Sequence, residues 1–158
     1  GPTAGERPAI EFYNPSLDHY FVTAEPAEAA MLDAGVVVPG WQRTGYAFNT
    51  FAPGALGAPA CRFFGTPGIG PSSHFFTIDA AECAKVRANS AWTFEGLAFQ
   101  AELPGVGTCP GDRAVVTRLY NNGKGGQANH RYATSREVAG NMVGEGWVVE
   151  GPVFCTPP

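Results

Sequence analysis

Short runs of alternating hydrophobic and polar residues occur along this chain, and the same order of runs occurs three times. The first run reads EFYN, RFFG and RLYN, starting at Glu11, Arg62 and Arg118. The second reads HYFVTA, HFFTID and HRYATS, starting at His19, His74 and His130. The third reads GWQRTGYAF, AWTFEGLAF and GWVVEGPVF. Because the runs are rich in aromatic and β-branched residues and are bounded by turn-forming residues, each predicts a strand.

A helix-start signal follows the second run of each repeat. Asp79 with Glu82 fits a capping box, Ser135 fits an N-cap, and Pro26 fits the first helical position after Glu25. Each unit is therefore predicted to be strand, strand, short helix, strand. Inside the last strand a glycine interrupts the pattern, which predicts a bulge or a break into two strands; these glycines are Gly45, Gly96 and Gly151.

Self-similarity with a period of about 50 to 56 residues predicts a repeat protein. We place one domain over residues 9–158, with units at about 9–58, 59–113 and 114–158. Residues 1–8 are expected to be a tether that starts with Gly1-Pro2, the remnant of a protease cleavage site. The predicted fold is mainly β with one short helix per repeat, closed into a pseudo-threefold β-trefoil-like barrel; a three-part propeller-like ring is the alternative. Closure is expected because a single unit leaves strand edges unpaired.

Charge and hydropathy argue against several classes of partner. The net charge is −4 and no basic stripe is present, so we expect neither nucleic acid nor an anionic membrane as a partner. No apolar run approaches the roughly 18 residues of a membrane helix, so no membrane insertion is expected. Hydrophobic residues make up 44% of the chain, which predicts a packed core rather than disorder.

The four cysteines lack the paired short spacings of a zinc site. They predict two disulfides and an extracellular or periplasmic location. Of the three possible pairings we favour Cys83 with Cys109 and Cys61 with Cys155. Buried free thiols are the alternative.

Charged residues of the first and third runs change together between the repeats. Arg62 occurs with Glu95 and Arg118 with Glu150, whereas the first repeat has Glu11 and Thr44 at these positions. Joint presence and joint loss predict a contact in each of the last two units. An arginine–carboxylate pair there would fix strand register more than it would stabilise the fold.

The three repeat histidines, His19, His74 and His130, allow two interpretations. In the first, each has a structural role, with its ring bonded to a loop carbonyl of its own unit and packed on aromatic residues. In the second, the three converge on the pseudo-threefold axis and form a zinc site with an open position. We favour the structural role, because a repeat fold needs the same device in every unit, and we give the same role to Trp41, Trp92 and Trp147.

Sequence motifs of catalysis are absent. The chain contains no nucleophile elbow, no zinc-protease motif, no P-loop and no dinucleotide fingerprint, so we expect no catalytic residues and no cofactor. Binding candidates remain. Aromatic platforms are expected from Tyr13, Phe64 and Tyr120, together with Tyr20, Phe75 and Arg131, unless each unit's helix covers them. Polar loop candidates are Asp18, Asn121, Asn122, Gln127 and Asn129.

Taken together, RLYN, NHRYAT and GWVVEGPVF resemble the repeat family catalogued as domain-of-unknown-function family 5648. EFYNPSLDHYFVTA and the segment from RFFG to SSHFFTIDAAEC match it too, so the resemblance covers nearly the whole chain. It implies an exported protein with an accessory binding role, and it supplies no agreed activity and no catalytic residues. The first unit departs from the family pattern at Glu11 and Thr44, and the third departs at Arg131.

Three functions are therefore compared. The leading one is a secreted, non-catalytic binding module for a carbohydrate or cell-surface glycan, based on aromatic content and on analogy with trefoil lectins. The second is a protein-interaction or inhibitor domain that uses the unit-linking loops. The third is a metal-dependent hydrolase that uses the three histidines. For the first two, the expected partner is a glycan or an extracellular protein, bound by a monomer or by part of a larger secreted chain.

Overall fold

A computed structural model describes residues 5–158 and contains three units with the same order of elements. The first unit has β1 (Arg7–Asn14), β2 (His19–Thr23), α1 (Pro26–Ala34) and β3 (Gln42–Thr50). The second has β4 (Ala58–Gly65), β5 (His74–Thr77), α2 (Ala80–Arg87) and β6 (Trp92–Ala101). The third has β7 (Ala114–Tyr120), β8 (His130–Ala133), α3 (Arg136–Gly144) and β9 (Val148–Thr156). The prediction of a mainly β fold with one short helix per repeat is confirmed.

The N-terminal prediction is corrected in part. Gly1-Pro2, expected to be a cleavage remnant, lies outside the described residues. Because β1 begins at Arg7, both Arg7 and Pro8 belong to the first sheet and not to a tether.

Each unit forms one antiparallel sheet of three strands, with its first strand in the middle. The orders are β2-β1-β3, β5-β4-β6 and β8-β7-β9. Within residues 5–158 the sheets are joined only by isolated bridges, Phe51 to Gln100 and Glu102 to Cys155, so the strands form no continuously paired barrel. The third strands run unbroken through their glycines, and Gly96 takes φ 104° beside a register shift, as a bulge requires.

The helix starts follow the predicted capping chemistry. The Asp79 carboxylate accepts a hydrogen bond from the Glu82 N–H at 2.9 Å, and the Ser135 hydroxyl accepts one from Val138 N–H at 3.2 Å. Pro26 occupies the first turn of α1, where its missing N–H leaves no bond unmade. None of the helices in residues 5–158 has the length and apolar character needed to cross a membrane.

One face of each sheet meets the other two sheets in a central core. Phe48, Phe99 and Phe154 come from the three third strands, with ring centroids 5.5, 5.3 and 6.5 Å apart. Small residues of the middle strands, such as Ala60, are fully buried beside them and leave room for the rings. Equivalent positions of the three units thus meet in one buried cluster.

The other face of each sheet is covered by the helix of the same unit. In the second unit Phe63, Phe75 and Cys83 pack together with Trp92. In the third, Leu119, Val138 and Met142 pack with Trp147. Trp41 packs against the central core cluster, with its ring centroid 6.0 Å from that of Phe21. All three tryptophans are therefore packed against buried side chains, and Trp92 and Trp147 lie beside the helix of their own unit.

The two disulfides are present, but the favoured pairing is wrong. The bonds join Cys61 to Cys83 and Cys109 to Cys155, with Cα atoms 6.2 and 5.6 Å apart. Cys61 shares the helix-covered face of β4 with Phe63, so the nearest partner is Cys83 on the helix of its own unit. Cys109 then ties the loop between β6 and β7 to β9.

Candidate functional site

Neighbouring units meet at three junctions, which we number by the units they join: the first junction joins units one and two, the second joins two and three, and the third joins three and one. At the first junction the Arg62 guanidinium lies over the Phe21 ring, 5.3 Å from its centroid. At the second, Arg118 lies over Phe75 at 4.6 Å. Each of these two junctions thus places an arginine of one middle strand on an aromatic ring of the preceding unit.

Both predicted arginine–glutamate contacts are confirmed. Arg62 Nε donates to Glu95 Oε1 at 3.0 Å, and Arg118 Nε donates to Glu150 Oε1 at 2.8 Å. Burial alone would raise the pKa of the Glu95 carboxyl, but the hydrogen bonds from His74 and Arg62 hold this pKa below its usual value. The Glu95 carboxylate is therefore ionised at neutral pH.

Sequence reasoning missed the second carboxylate at each junction. Arg62 Nη1 donates to Glu28 Oε1 at 2.8 Å, and Arg118 Nη1 donates to Glu82 Oε1 at 3.0 Å. Both glutamates lie in the first turn of the preceding unit's helix, so these pairs join the units. A comparison of the repeats contained a signal for this contact. The helix of the third unit has Val138 in place of the glutamate, and the middle strand that it faces, in the first unit, has Glu11 in place of the arginine.

At the third junction the charges are exchanged between the strands. Arg131, on β8, takes the place of Phe21 and Phe75, and it donates two hydrogen bonds to Glu11, on β1, at 3.1 and 2.8 Å. Thr44 donates a third bond to Glu11 at 2.8 Å. Arg131 is therefore buried, and its guanidinium is occupied by hydrogen bonds to Glu11. The structure does not support Arg131 as a binding candidate.

The three junctions differ in how much space they leave. The cavities measure about 420 Å³ at the first, about 280 Å³ at the second and about 10 Å³ at the third. The side-chain exposure of the junction arginine falls in the same order, from 22% for Arg62 to 11% for Arg118 and 9% for Arg131. We call the cavity at the first junction the first groove; it is lined by Thr23, Glu25, Glu28, Arg62, Glu95 and Leu97, among others.

The three histidines are not equivalent in the structure. Strand pairing places His74 opposite Phe64 and His130 opposite Tyr120, but the residue opposite Tyr13 is Tyr20. His19 occupies the preceding position, which is Ser73 in the second unit and Asn129 in the third. The prediction of three equivalent histidines is therefore wrong. β2 contains one residue more than β5 and β8 between its histidine and its end, and this shifts the register.

His19 and His74 form a hydrogen-bonded chain at the first junction instead of bonding loop carbonyls. His74 Nε2 lies 2.9 Å from Glu95 Oε1, and His74 Nδ1 lies 2.9 Å from His19 Nε2. Because an ionised carboxylate only accepts, His74 donates to Glu95 and accepts from His19. Burial and the nearby His74 lower the pKa of His19 to about 3, and burial also lowers the pKa of His74. Both rings are therefore neutral at pH 7.

A three-histidine metal site finds no support in this geometry. His130 lies at the second junction, where its Nε2 is 3.5 Å from Glu150 Oε1. Within residues 5–158 no group of three His, Cys, Asp or Glu side chains is placed to hold a metal ion.

The expected aromatic platforms are largely occupied by one another. Tyr13 packs on Tyr20 at 4.5 Å, Phe64 on His74 at 4.8 Å and Tyr120 on His130 at 5.3 Å, measured between ring centroids. Four of these candidates are half-buried, namely Tyr13, Tyr20, Phe64 and Tyr120, whereas Phe75 is buried under α2. The structure therefore does not present three open aromatic faces.

The polar loop candidates shape their own loops. Asn121 accepts hydrogen bonds from the N–H groups of Gly123 and Asn129, and it donates to the Gln127 carbonyl. Asn121 and Asn129 are buried. The Asp18 carboxylate accepts a bond from Tyr13 at 2.7 Å, and Gln127 accepts one from Ser72 N–H. Asn122 is exposed and takes a left-handed turn conformation at φ 58°.

These features define a disulfide-bonded, mainly β module of three units that meet through charged junctions. The family model described as Domain of unknown function (DUF5648) matches residues 8–157, so the chain belongs to this family, as the motifs predicted. No curated protein and no solved structure matches the chain.

Proposed function

We propose that this protein is an exported, non-catalytic binding module whose ligand occupies the first groove. One observation supports this location above the others: the first groove is the largest of the three junction cavities, and its arginine is the most exposed. Arg62 is held between Glu28 and Glu95, so charged donors and acceptors are fixed in place before a ligand arrives. Such preorganised polar groups in a concave site favour specific binding.

Export is supported by the two disulfides, which persist in oxidising compartments and are rare elsewhere. The family to which the chain belongs is expected in extracellular proteins with accessory roles. An extracellular or periplasmic location is part of this proposal.

Two ligand classes suit the first groove. A glycan is the class favoured by composition, and the carboxylates of Glu28 and Glu95 could accept hydrogen bonds from sugar hydroxyls. A protein partner is the second candidate, favoured by the outer edge of β6, which borders the groove and pairs with a strand on one side only.

Closure of trefoil type is also proposed. It is supported by the meeting of the three third strands at Phe48, Phe99 and Phe154 and by the repetition of the arginine–aromatic contact at two junctions. The ring arrangement gives each junction the same position around the axis, so the junctions can be compared one with another.

The test is a variant that fills the first groove. Ala27 is exposed on α1 and lines this groove, so Ala27→Trp should block it with little effect on the core. Ala81 is exposed at the same position of α2 and does not line the first groove, so Ala81→Trp is the matched control. The wild type and both variants are applied to a glycan array and to a displayed library of random linear peptides.

We expect at least one probe to bind the wild type and Ala81→Trp, and to bind Ala27→Trp about tenfold more weakly or worse, a loss of about 1.4 kcal/mol. Thermal unfolding of the three proteins checks that the variants are folded. Binding that is unchanged in Ala27→Trp would place the site elsewhere, and the absence of any bound probe would contradict the proposal.

A further inference from the structure

We propose that His19 and His74 form a pH switch, which keeps the first junction closed at neutral pH and weakens ligand binding in the first groove under acidic conditions. This inference rests on the proposed function, because it describes the regulation of the same groove. It follows from a chain of hydrogen bonds that joins two buried rings to the groove wall.

This chain of hydrogen bonds crosses the first junction from one unit to the other. His19 Nε2 donates to His74 Nδ1, and His74 Nε2 donates to Glu95 Oε1, both at 2.9 Å. The same Glu95 oxygen accepts from Arg62 Nε at 3.0 Å, and Arg62 Nη1 donates to Glu28 at 2.8 Å. Glu95, Arg62 and Glu28 line the first groove. The two rings are therefore connected to the groove through one carboxylate.

His74 lies in the middle of the chain, and charged or titratable groups face it from four elements: His19 on β2, Arg62 on β4, Glu95 on β6 and Glu28 on α1. Three aromatic rings also pack near it, those of Phe21, Phe64 and Phe76. Burial and Arg62 oppose a proton on His74, the two glutamates favour it, and on balance the pKa of His74 is lowered. The ring is therefore neutral at pH 7 and takes up a proton only below the ordinary histidine pKa of about 6.5.

A proton on His74 conflicts with the chain as it stands. A protonated imidazole donates from both nitrogens, so His74 Nδ1–H would face His19 Nε2–H, one donor against another. The other tautomer of His19 would remove this conflict by placing its proton on Nδ1. That nitrogen is buried and has no hydrogen-bond partner within residues 5–158, so an N–H there would be left unsatisfied at a cost in free energy. Protonation of His74 therefore drives the two rings apart.

The other two junctions lack this pair of rings. At the second junction the place of His19 on the strand is taken by Ser73, and at the third the place of His74 is taken by Tyr20. Neither a serine hydroxyl nor a tyrosine phenol takes up a proton between pH 5 and pH 7. The two imidazoles are therefore paired at the junction that also has the largest cavity.

Separation of the rings changes the first groove because its two walls belong to different units. β2 leads from His19 to Thr23, which lines one wall, and Glu95 of β6 lines the other. A charged His74 also competes with Arg62 for the Glu95 oxygen that both of them bond. Both effects disturb polar groups that are fixed in place at neutral pH, so the affinity of the groove falls in acid.

Nitrogen-15 NMR of the histidine rings tests the switch on the wild-type protein alone, without a ligand and without a variant. At pH 7 we expect the ring proton on Nε2 in both His19 and His74. As the pH is lowered, the amide signals of Ala24 and Leu97, on the two walls of the groove, should shift with the same midpoint as the ring of His74. A proton on Nδ1 of His19 at pH 7, or wall amides that do not follow His74, would overturn the inference.

His19→Gln is the variant that separates a switch from a purely structural role. An amide can present either its N–H or its carbonyl to His74, so a protonated His74 finds an acceptor in this variant. We therefore expect His74 to titrate at a higher pH in His19→Gln than in the wild type, with the junction still closed. His130→Gln removes the buried histidine of the second junction and is the matched control.

Binding is measured with a glycan or a peptide that binds the wild type but not Ala27→Trp at pH 7. This probe should bind the wild type and His130→Gln about tenfold more weakly at pH 5 than at pH 7, and should bind His19→Gln about equally at both. While it is bound, His74 of the wild type should stay neutral to a lower pH, because a ligand that prefers the neutral state opposes protonation. Near-ultraviolet circular dichroism at both pH values checks that the proteins are folded.

The inference is overturned if the wild type binds the probe equally at both pH values, if His19→Gln loses as much affinity in acid as the wild type, or if the wild type unfolds as a whole at pH 5. If no probe binds at pH 7, the proposed function fails. The ring titration and the wall amides still decide in that case whether the first junction responds to His74.

Discussion

Replacement of Arg131 by methionine should destabilise the fold far more than the loss of an ordinary surface ion pair. Its partner Glu11 is 3% exposed and receives two hydrogen bonds from the guanidinium, at 3.1 and 2.8 Å. Without Arg131 the carboxylate stays buried with one remaining bond, from Thr44. Removing one partner of a buried pair typically costs about 3 to 5 kcal/mol, so we expect a loss of this size in the free energy of unfolding, measured by urea at pH 7.

Two further variants distinguish the cost of losing the ion pair from the cost of leaving one buried charge without a partner. Glu11→Met together with Arg131→Met removes both charges, and should recover most of the loss, because paired buried charges contribute little beyond their own desolvation. Arg43→Met is the exposed control: Arg43 bonds Asp33 at 2.7 Å, but both side chains are more than 40% exposed, so stability should hardly change. The reasoning is refuted if Arg131→Met behaves like Arg43→Met, or if the double variant is no more stable than the single one.

The remaining predictions concern the disulfides and pH. Replacing Cys109 and Cys155 by alanine should lower the free energy of unfolding by about 4 kcal/mol, and replacing Cys61 and Cys83 by about 3, because the bonds span 46 and 22 residues; equal losses from a urea titration would contradict this order. Burial and Arg118 lower the pKa of His130 to about 3 in the folded protein, whereas the pKa of an unfolded histidine is about 6.5. At pH 5 the unfolded chain therefore binds a proton that the folded protein does not, so the free energy of unfolding should be about 2 kcal/mol lower at pH 5 than at pH 7. His130→Phe should lose that much less stability between pH 7 and pH 5, and an unchanged difference would disprove the assignment.

Local chemistry was predictable from the sequence because it depends on neighbouring residues or on comparison between repeats. The caps at Asp79 and Ser135 follow from side chains that reach an N–H three residues on. The contact of Arg62 with Glu95 was predictable because both residues are replaced together in the first repeat. The order of strands and helix in each unit followed from periodicity and turn residues in the same way.

The register of the first unit was not predictable from motif matching. Aligning the repeats on their shared histidine placed His19 with His74, but β2 has one more residue than β5. Hydrogen bonding to the middle strand decides the register, and it places Tyr20 with His74. A side-chain match cannot reveal such a slip, because one inserted residue leaves the motif readable while moving every following side chain to the next position.

Contacts between units were not predicted, although a comparison of the repeats held a signal for one of them, and the candidate site depends on these contacts. Glu28 reaches Arg62 from the preceding helix, and only the docking of the first unit on the second brings them together. The disulfide pairing failed for a related reason, since the distance between Cys61 and Cys83 is set by how α2 packs on its sheet.

Divergence among the repeats leaves the first junction more open than the other two, and this difference is the reason we propose a ligand there. At the third junction Arg131 and Glu11 form a buried ion pair. Tyr46 lines the space that remains there, which holds at most about one water molecule. At the second, the Tyr132 hydroxyl satisfies the strand edge. At the first junction neither substitution has occurred, and Arg62 keeps the largest exposed fraction of the three junction arginines. A repeat fold needs every junction for packing, so we attribute the larger cavity that remains at the first junction to a ligand rather than to the fold.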